Sequence, residues 1–143
     1  MRISTRTRYG LRLMIYLARS FNGGNVFLKD IAKEEEISEK YLSLIIIPLR
    51  SAQLVRSVRG ARGGYSLTRE PSSITISDIF EVLEGDLDLI ECVRDETSCE
   101  RSLICDSFHL WESLSNVMKK YLDSVTLEDL LNKNLKNTIN YTI

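Results

Sequence analysis

Between Ile37 and Leu67 the chain reads ISEKYLSLIIIPLRSAQLVRSVRGARGGYSL, and this run narrows the choice of folds more than any other. Ser38 is a good N-cap and Glu39 a favourable first-turn acid. From there Leu42, Ile45, Ile46 and Leu49 recur at i, i+3, i+4 and i+7, the stripe of a helix with one face in a core. A shorter helix is expected over 29–35, and the tight connection between the two gives the layout of a helix-turn-helix. Two extended pieces, 54–58 and 65–68, then flank RGARGG, where Gly60, Gly63 and Gly64 permit a tight turn with Arg59 and Arg62 at its tip. A β-hairpin with a cationic tip behind a helix-turn-helix is a wing. These glycines match neither a dinucleotide fingerprint nor a P-loop, and no helix opens behind them. Pro48 removes a backbone donor inside the second helix and is expected to kink or loosen it. Leu44 and Ile47 are apolar residues off the core stripe, and the pattern leaves them unexplained.

The net charge of −1 conceals an asymmetry. Residues 1–70 hold thirteen Lys and Arg against six Asp and Glu, while residues 71–143 hold six against fourteen. The basic front half suits a polyanion, and the acidic back half does not. Ahead of the helix-turn-helix, residues 4–21 predict a helix buried on most sides, with Arg8, Arg12 and Arg19 as its remaining cationic stripe. Asn22-Gly23-Gly24-Asn25 ends it with turn chemistry.

Behind the wing the pattern predicts a short helix over 77–83, a loop, and a long helix. In the long helix Trp111, Leu114, Met118, Tyr121, Leu122 and Val125 follow spacings of three and four. Pairing with the same arm of a second subunit would bury such a stripe. Residues 126–131 read as a further capped helical turn. The expected fold is mainly α with a small β-hairpin: a winged helix-turn-helix over 1–72, a cysteine loop and dimerisation helix over 73–131, and a polar tail over 132–143. No apolar run is long enough to span a bilayer, and MRISTRTRYG places charges where a signal peptide needs an apolar region, so a cytosolic chain with reduced thiols is expected.

The loop ECVRDETSCERSLICDSFHLW holds all three cysteines, Cys92, Cys99 and Cys105, and the single histidine, His109. Three thiolates and an imidazole form a soft ligand set for an iron–sulfur cluster or for zinc. Zinc modules generally show a close Cys-x2-4-Cys pair, which is absent here. Unligated thiols are the remaining alternative, although Cys99 sits in polar TSCER rather than in the apolar stretch usual for a buried cysteine. A catalytic Cys105–His109 pair lacks an orienting group and a recognisable substrate pocket, so no enzyme is expected.

The order of RYG near the start, ISEKYL, QLVRSVRGARGGYSL, a three-cysteine loop and an LW opening a long helix resembles the IscR/NsrR/CymR-type family of bacterial winged-helix transcription regulators. The resemblance covers residues 1 to about 131, and its most specific part is the wing VRGARGGY. It implies a homodimeric repressor or activator that reads a palindromic operator in double-stranded DNA, and in several members the loop binds a [2Fe-2S] cluster. Cys92, Cys99 and Cys105 match the cluster cysteines position by position. The first spacing is x6 where cluster-binding members usually have x5, and His109, the candidate fourth ligand, stands one place beyond the histidine of one branch, where this chain has Phe108.

On this reading Ser38, Lys40, Tyr41 and Ser43 enter the major groove, while Arg59 and Arg62 reach the adjacent minor groove or its phosphates. Ser4, Thr5 and Arg6 at the start of the first helix, with Arg50 and Arg56, are candidate phosphate contacts that fix register. Ser43-Leu44 stands where related proteins often carry Glu-Gln, so the resemblance transfers no operator sequence. Two further readings stay open. One is a cluster-free regulator governed by thiol redox or by a protein partner, as one branch of that family suggests. The other is a small iron–sulfur electron-transfer protein. Neither an RNA polymerase nor a metabolic-enzyme partner is assigned by the sequence.

Overall fold

The computed structural model describes residues 2–133. Ser4 caps the first helix, α1 (Thr5–Arg19), by accepting from the Thr7 N–H at 3.1 Å. A 3-10 turn, Phe21–Gly23, leads to α2 (Leu28–Glu35), and Glu36 in the left-handed region turns the chain toward α3 (Glu39–Ser51). Antiparallel β1 (Val55–Val58) and β2 (Gly64–Leu67) follow, with Arg56 opposite Ser66. Beyond them lie α4 (Ile76–Leu83), the short α5 (Glu91–Arg94), α6 (Phe108–Ser124) and α7 (Leu127–Leu131). The sequence-based elements are all present, with ends moved by a few residues. The tail expected over 132–143 lies, beyond Lys133, outside the described residues. No described helix is long and apolar enough to cross a membrane.

One core joins the front of the chain. Leu13, Met14 and Leu17 of α1, Ile31 of α2, and Leu42, Ile45, Ile46 and Leu49 of α3 are buried together with Leu67 of the hairpin and Ile79 of α4. α3 is continuous through Pro48, the residue expected to kink or loosen it. Only the Leu44 carbonyl loses its intrahelical donor, and four buried aliphatic side chains hold the helix on both sides of the proline. Gly10 is where α1 meets α4: a Cβ there would collide with the Leu83 side chain and lie 3.2 Å from Ile45 Cγ2.

Three long-range ties fix the periphery. Val26 and Tyr65 exchange backbone hydrogen bonds at 2.9 and 2.7 Å, so the segment before α2 extends the hairpin by one bridge. The Ile76 N–H donates to the Val125 carbonyl at 2.8 Å, and the Leu127 N–H to the Ile74 carbonyl at 3.0 Å, which ties the α6–α7 junction to the start of α4 and lays α7 against α1. The Glu84 carboxylate, just past α4, receives the Ser4 N–H, the Ser4 hydroxyl and the Thr7 hydroxyl at the start of α1.

Candidate nucleic-acid interface and cysteine loop

α3 is amphipathic in the sense its stripe predicts. Its buried face anchors it, and the opposite face carries Lys40, Leu44, Ile47 and Arg50, all exposed, with Ser43 half-buried. Ser38 accepts from the Tyr41 N–H at 3.3 Å. Tyr41 is half-buried and packs edge-on against Tyr9, 5.9 Å between ring centres, so its ring is partly spent on holding α3 against α1. The Ser43 hydroxyl donates to the Lys40 carbonyl at 2.6 Å, leaving its oxygen to accept.

The hairpin stands beside this face. Ile47, Arg50 and Ser51 of α3 and Val55, Arg56 and Ser57 of β1 line an open cleft of about 500 Å³. Arg56 Nε donates to Ser66 Oγ at 2.9 Å across the strands, which directs the guanidinium while the residue remains exposed. At the tip Arg59 and Arg62 are both exposed. The tip is fastened from behind, because Asn25 Nδ2 donates to the Arg62 carbonyl at 3.1 Å and the Gly63 N–H to the Gly60 carbonyl at 2.9 Å. Gly64 has φ +120°, and a Cβ on it would lie 2.5 Å from the Val26 carbonyl oxygen. That position needs glycine for both reasons.

At the start of α1, Thr5 and Arg6 are exposed. Ser4 is placed differently: its N–H and hydroxyl are engaged by Glu84, so its polar groups are already used inside the fold. The carboxyl of Glu84 is held below its usual range by the Thr7 and Ser4 hydroxyls, with burial opposing and the Ser4 N–H assisting. The expected cationic stripe of α1 also divides. Arg12 pairs with Glu35 at 2.9 Å and Arg19 approaches the same carboxylate at 3.9 Å, which binds that face to α2. Arg8 is exposed and donates to Thr5 Oγ1 at 3.3 Å.

In the cysteine loop, Cys92 on α5 and Cys105 before α6 are half-buried and Cys99 is exposed, each a free thiol. Cys105 Sγ lies 3.2 Å from Ser107 Oγ. That hydroxyl, followed by the backbone N–H groups of Ser107 and Phe108 and the charge of Arg101, draws its thiol below the ordinary range against a smaller opposing effect of burial. His109 is exposed on the first turn of α6, its Nδ1 3.6 Å from a Glu112 oxygen. Among the described residues, no three His, Cys, Asp or Glu side chains are grouped so as to hold a metal ion. The donor chemistry suits an iron–sulfur cluster or zinc, but this arrangement of the single chain does not bring the donors together.

The long helix separates two faces that the sequence pattern merges. Trp111, Met118 and Leu122 are half-buried and Val125, at the end of the helix, is buried. Leu110, Leu114, Val117 and Tyr121 form a second stripe at i, i+4, i+7 and i+11 that is open to solvent, with Leu110 59% and Val117 58% exposed. Sequence reasoning missed Leu110 and Val117 because it followed one stripe through a helix that has two.

A helix-turn-helix with a cationic hairpin against the exposed face of its second helix defines a winged-helix DNA-binding protein. The Rrf2 family model, described as an iron-dependent transcriptional regulator, matches residues 3–133, and the chain belongs to that family. It is 46% identical over 130 residues to the HTH-type transcriptional regulator CymR of Bacillus subtilis, covering 91% of this chain and 89% of that protein. The solved structure of CymR, described as the global cysteine regulator of B. subtilis, superposes with a TM-score of 0.78 at 44% identity and covers 93% of this chain and 98% of that one. The structure of T. potens IscR gives 0.73 at 40% identity, over 94% and 88% of the two chains. The protein is a DNA-binding transcription regulator and not an enzyme.

Proposed function

We propose that the chain works as a homodimer that reads a palindromic operator, with α3 in the major groove, the wing tip at the adjacent minor groove, and the cysteine loop as the segment that receives the signal. The observation that carries this reading is the cleft between α3 and the hairpin, lined by Arg50 and Arg56, with Arg59 and Arg62 exposed at the tip of the same hairpin. Lys40 and Ser43, with Ser38 and Tyr41 at the helix start, are the polar groups nearest the base edges. Thr5, Arg6, Arg50 and Arg56 serve the phosphates, and Ser4 contributes by fixing the start of α1 rather than by a free donor. The open stripe of α6 supplies a self-complementary apolar face, and two-fold pairing doubles the half-sites read.

The wing provides the test. Replacing Arg59 and Arg62 together with alanine is expected to weaken binding to operator and random DNA alike. It should also reduce the slope of log affinity against log salt by about one unit per lost phosphate contact. Unchanged binding at moderate salt would remove the wing from the interface.

For the signal, the reading favoured is thiol chemistry. Cys99 is exposed, and Cys105 lies at the junction of the loop and α6 beside Ser107, in surroundings that favour its reactive thiolate. A change at this junction bears on α6, which Lys119 ties to Asp88 at 2.7 Å and whose far end is tied to α4. A second reading, a [2Fe-2S] switch held by Cys92, Cys99 and Cys105 with His109, is favoured by the presence of three cysteines within fourteen residues and by the iron-dependent description of the family. Iron and sulfide counts with the visible spectrum of anaerobically purified protein separate the two. Stoichiometric iron and sulfide, lost in each Cys→Ala variant, mark the cluster. Colourless, iron-free protein whose operator affinity depends on Cys105 marks the thiol switch.

A further inference from the structure

Leu44 and Ile47 are the large apolar side chains of α3 that its packing does not use. They lie three residues apart on the outward face of α3 and are 59% and 56% exposed, while the same helix buries four other aliphatic residues. Neither takes part in the core. Ile47 also lines the cleft shared with Arg50 and Arg56, so this small apolar surface is bordered by cations.

That pairing of apolar centre and cationic edge indicates what covers it. A second protein surface would need an apolar centre together with carboxylates placed to meet both Arg50 and Arg56, whose charges would otherwise be buried unpaired. Duplex DNA supplies phosphates for the arginines, and on the floor of the major groove it offers one apolar group, the C5-methyl of thymine. Along the outward face, Lys40 and Ser43 precede Leu44, and Arg50 and Ser51 follow Ile47. The middle of the helix thus carries no side chain able to hydrogen-bond a base edge.

We infer that Leu44 and Ile47 read thymine methyl groups, so that each operator half-site carries T·A pairs specified by apolar contact at its centre. The inference rests on α3 being the DNA-reading helix. The outward turn of α3 selects base pairs by the presence of a methyl group, and Lys40 and Ser43 read the neighbouring pairs by polar contact.

The experiment uses the full-length protein and the operator that it enriches from a random duplex pool. Each thymine of a half-site is replaced in turn by uracil, which removes the methyl and nothing else. One or two positions are expected to lose about fourfold in affinity each, the factor that burial of one methyl group carries. At those positions Leu44→Ala or Ile47→Ala should be indifferent to uracil, while Arg59→Ala, weakened on all DNA, should keep the full uracil effect. Affinity within about 1.5-fold for every uracil substitution overturns the inference, as does an identical uracil effect in Leu44→Ala and Ile47→Ala. A Lys40→Ala/Arg50→Ala variant separates this failure from that of the parent reading. If it binds the operator like wild type, α3 is not the reader at all. If it loses binding while uracil has no effect, only the methyl readout falls.

Discussion

Glu84 offers a test of how the fold is closed, because one carboxylate holds the start of α1 from a position eighty residues away. It accepts the Ser4 N–H at 3.2 Å, the Ser4 hydroxyl at 2.7 Å and the hydroxyl of Thr7, a residue with no exposed surface. A hydrogen bond to a charged group contributes about 1.5–3 kcal/mol, and a buried donor left without a partner costs about 1–3 kcal/mol. Glu84 is half-buried and water can replace part of what it supplies to Ser4, so the main loss in Glu84→Ala is the charged acceptor of the buried Thr7 hydroxyl, which keeps only its 3.0 Å contact with Ser4 Oγ, about 2 kcal/mol in all. With a urea m-value of about 2 kcal/mol/M, the midpoint should fall by about 1 M at fixed protein concentration. Glu84→Gln keeps an acceptor and should lose roughly half as much. The pH dependence has a definite sign. Hydrogen bonds lower the carboxyl in the folded state, so its contribution is complete above the unfolded value of about 4.3 and disappears as pH falls through the lower folded value. The gap between wild type and Glu84→Gln should therefore be full at pH 7 and close in acid. No gap at pH 7, or an equal gap at pH 7 and pH 3, would refute the assignment of this carboxylate as the clamp.

Two other perturbations address the wing and the arm. Gly64→Ala places a Cβ against the Val26 carbonyl at a φ of +120°; a loss of about 2 kcal/mol is expected, lowering the melting temperature by about 5–10 °C, and an unchanged melting curve would show that the Val26–Tyr65 bridge does not constrain the hairpin. Leu114→Asp and Val117→Asp put a carboxylate on the open stripe of α6. If that stripe is the dimer contact, several kcal/mol are lost and sedimentation should report monomers with weakened operator binding, whereas an intact dimer in both variants would remove this face from the interface.

Legibility in the sequence followed the range of the interactions involved. Ser38 and Thr126 were recognisable as helix starts because a cap acts within three residues, and both accept from an N–H of the first helical turn. The hairpin was legible from its glycines and extended flanks. The arginines of α1 were not, since Arg12 and Arg19 look free in a linear pattern and are drawn onto Glu35 of α2 only by packing. In α6 the pattern gave the helix but not the face, because an apolar residue is apolar toward its own core and toward a partner alike. The cysteines show the same limit: closeness along the chain put Cys92, Cys99 and Cys105 in one loop without gathering their sulfur atoms.

The amino-acid sequence by itself determined the order of elements, the helix-turn-helix followed by a wing, and a charge distribution suited to DNA. Caps, helical stripes and turn glycines act over three to seven residues, so their energies are set before the chain closes on itself. Tertiary structure alone decided that Gly10 must be small where α1 meets α4, that Glu84 completes the start of α1, and that Val26 lengthens the hairpin. It also decided that Leu44 and Ile47, apolar residues without a place in the stripe, stand at a cationic cleft. Such pairings join residues far apart in the chain, and their partners are fixed only by the packing angles of helices whose individual patterns are compatible with more than one arrangement.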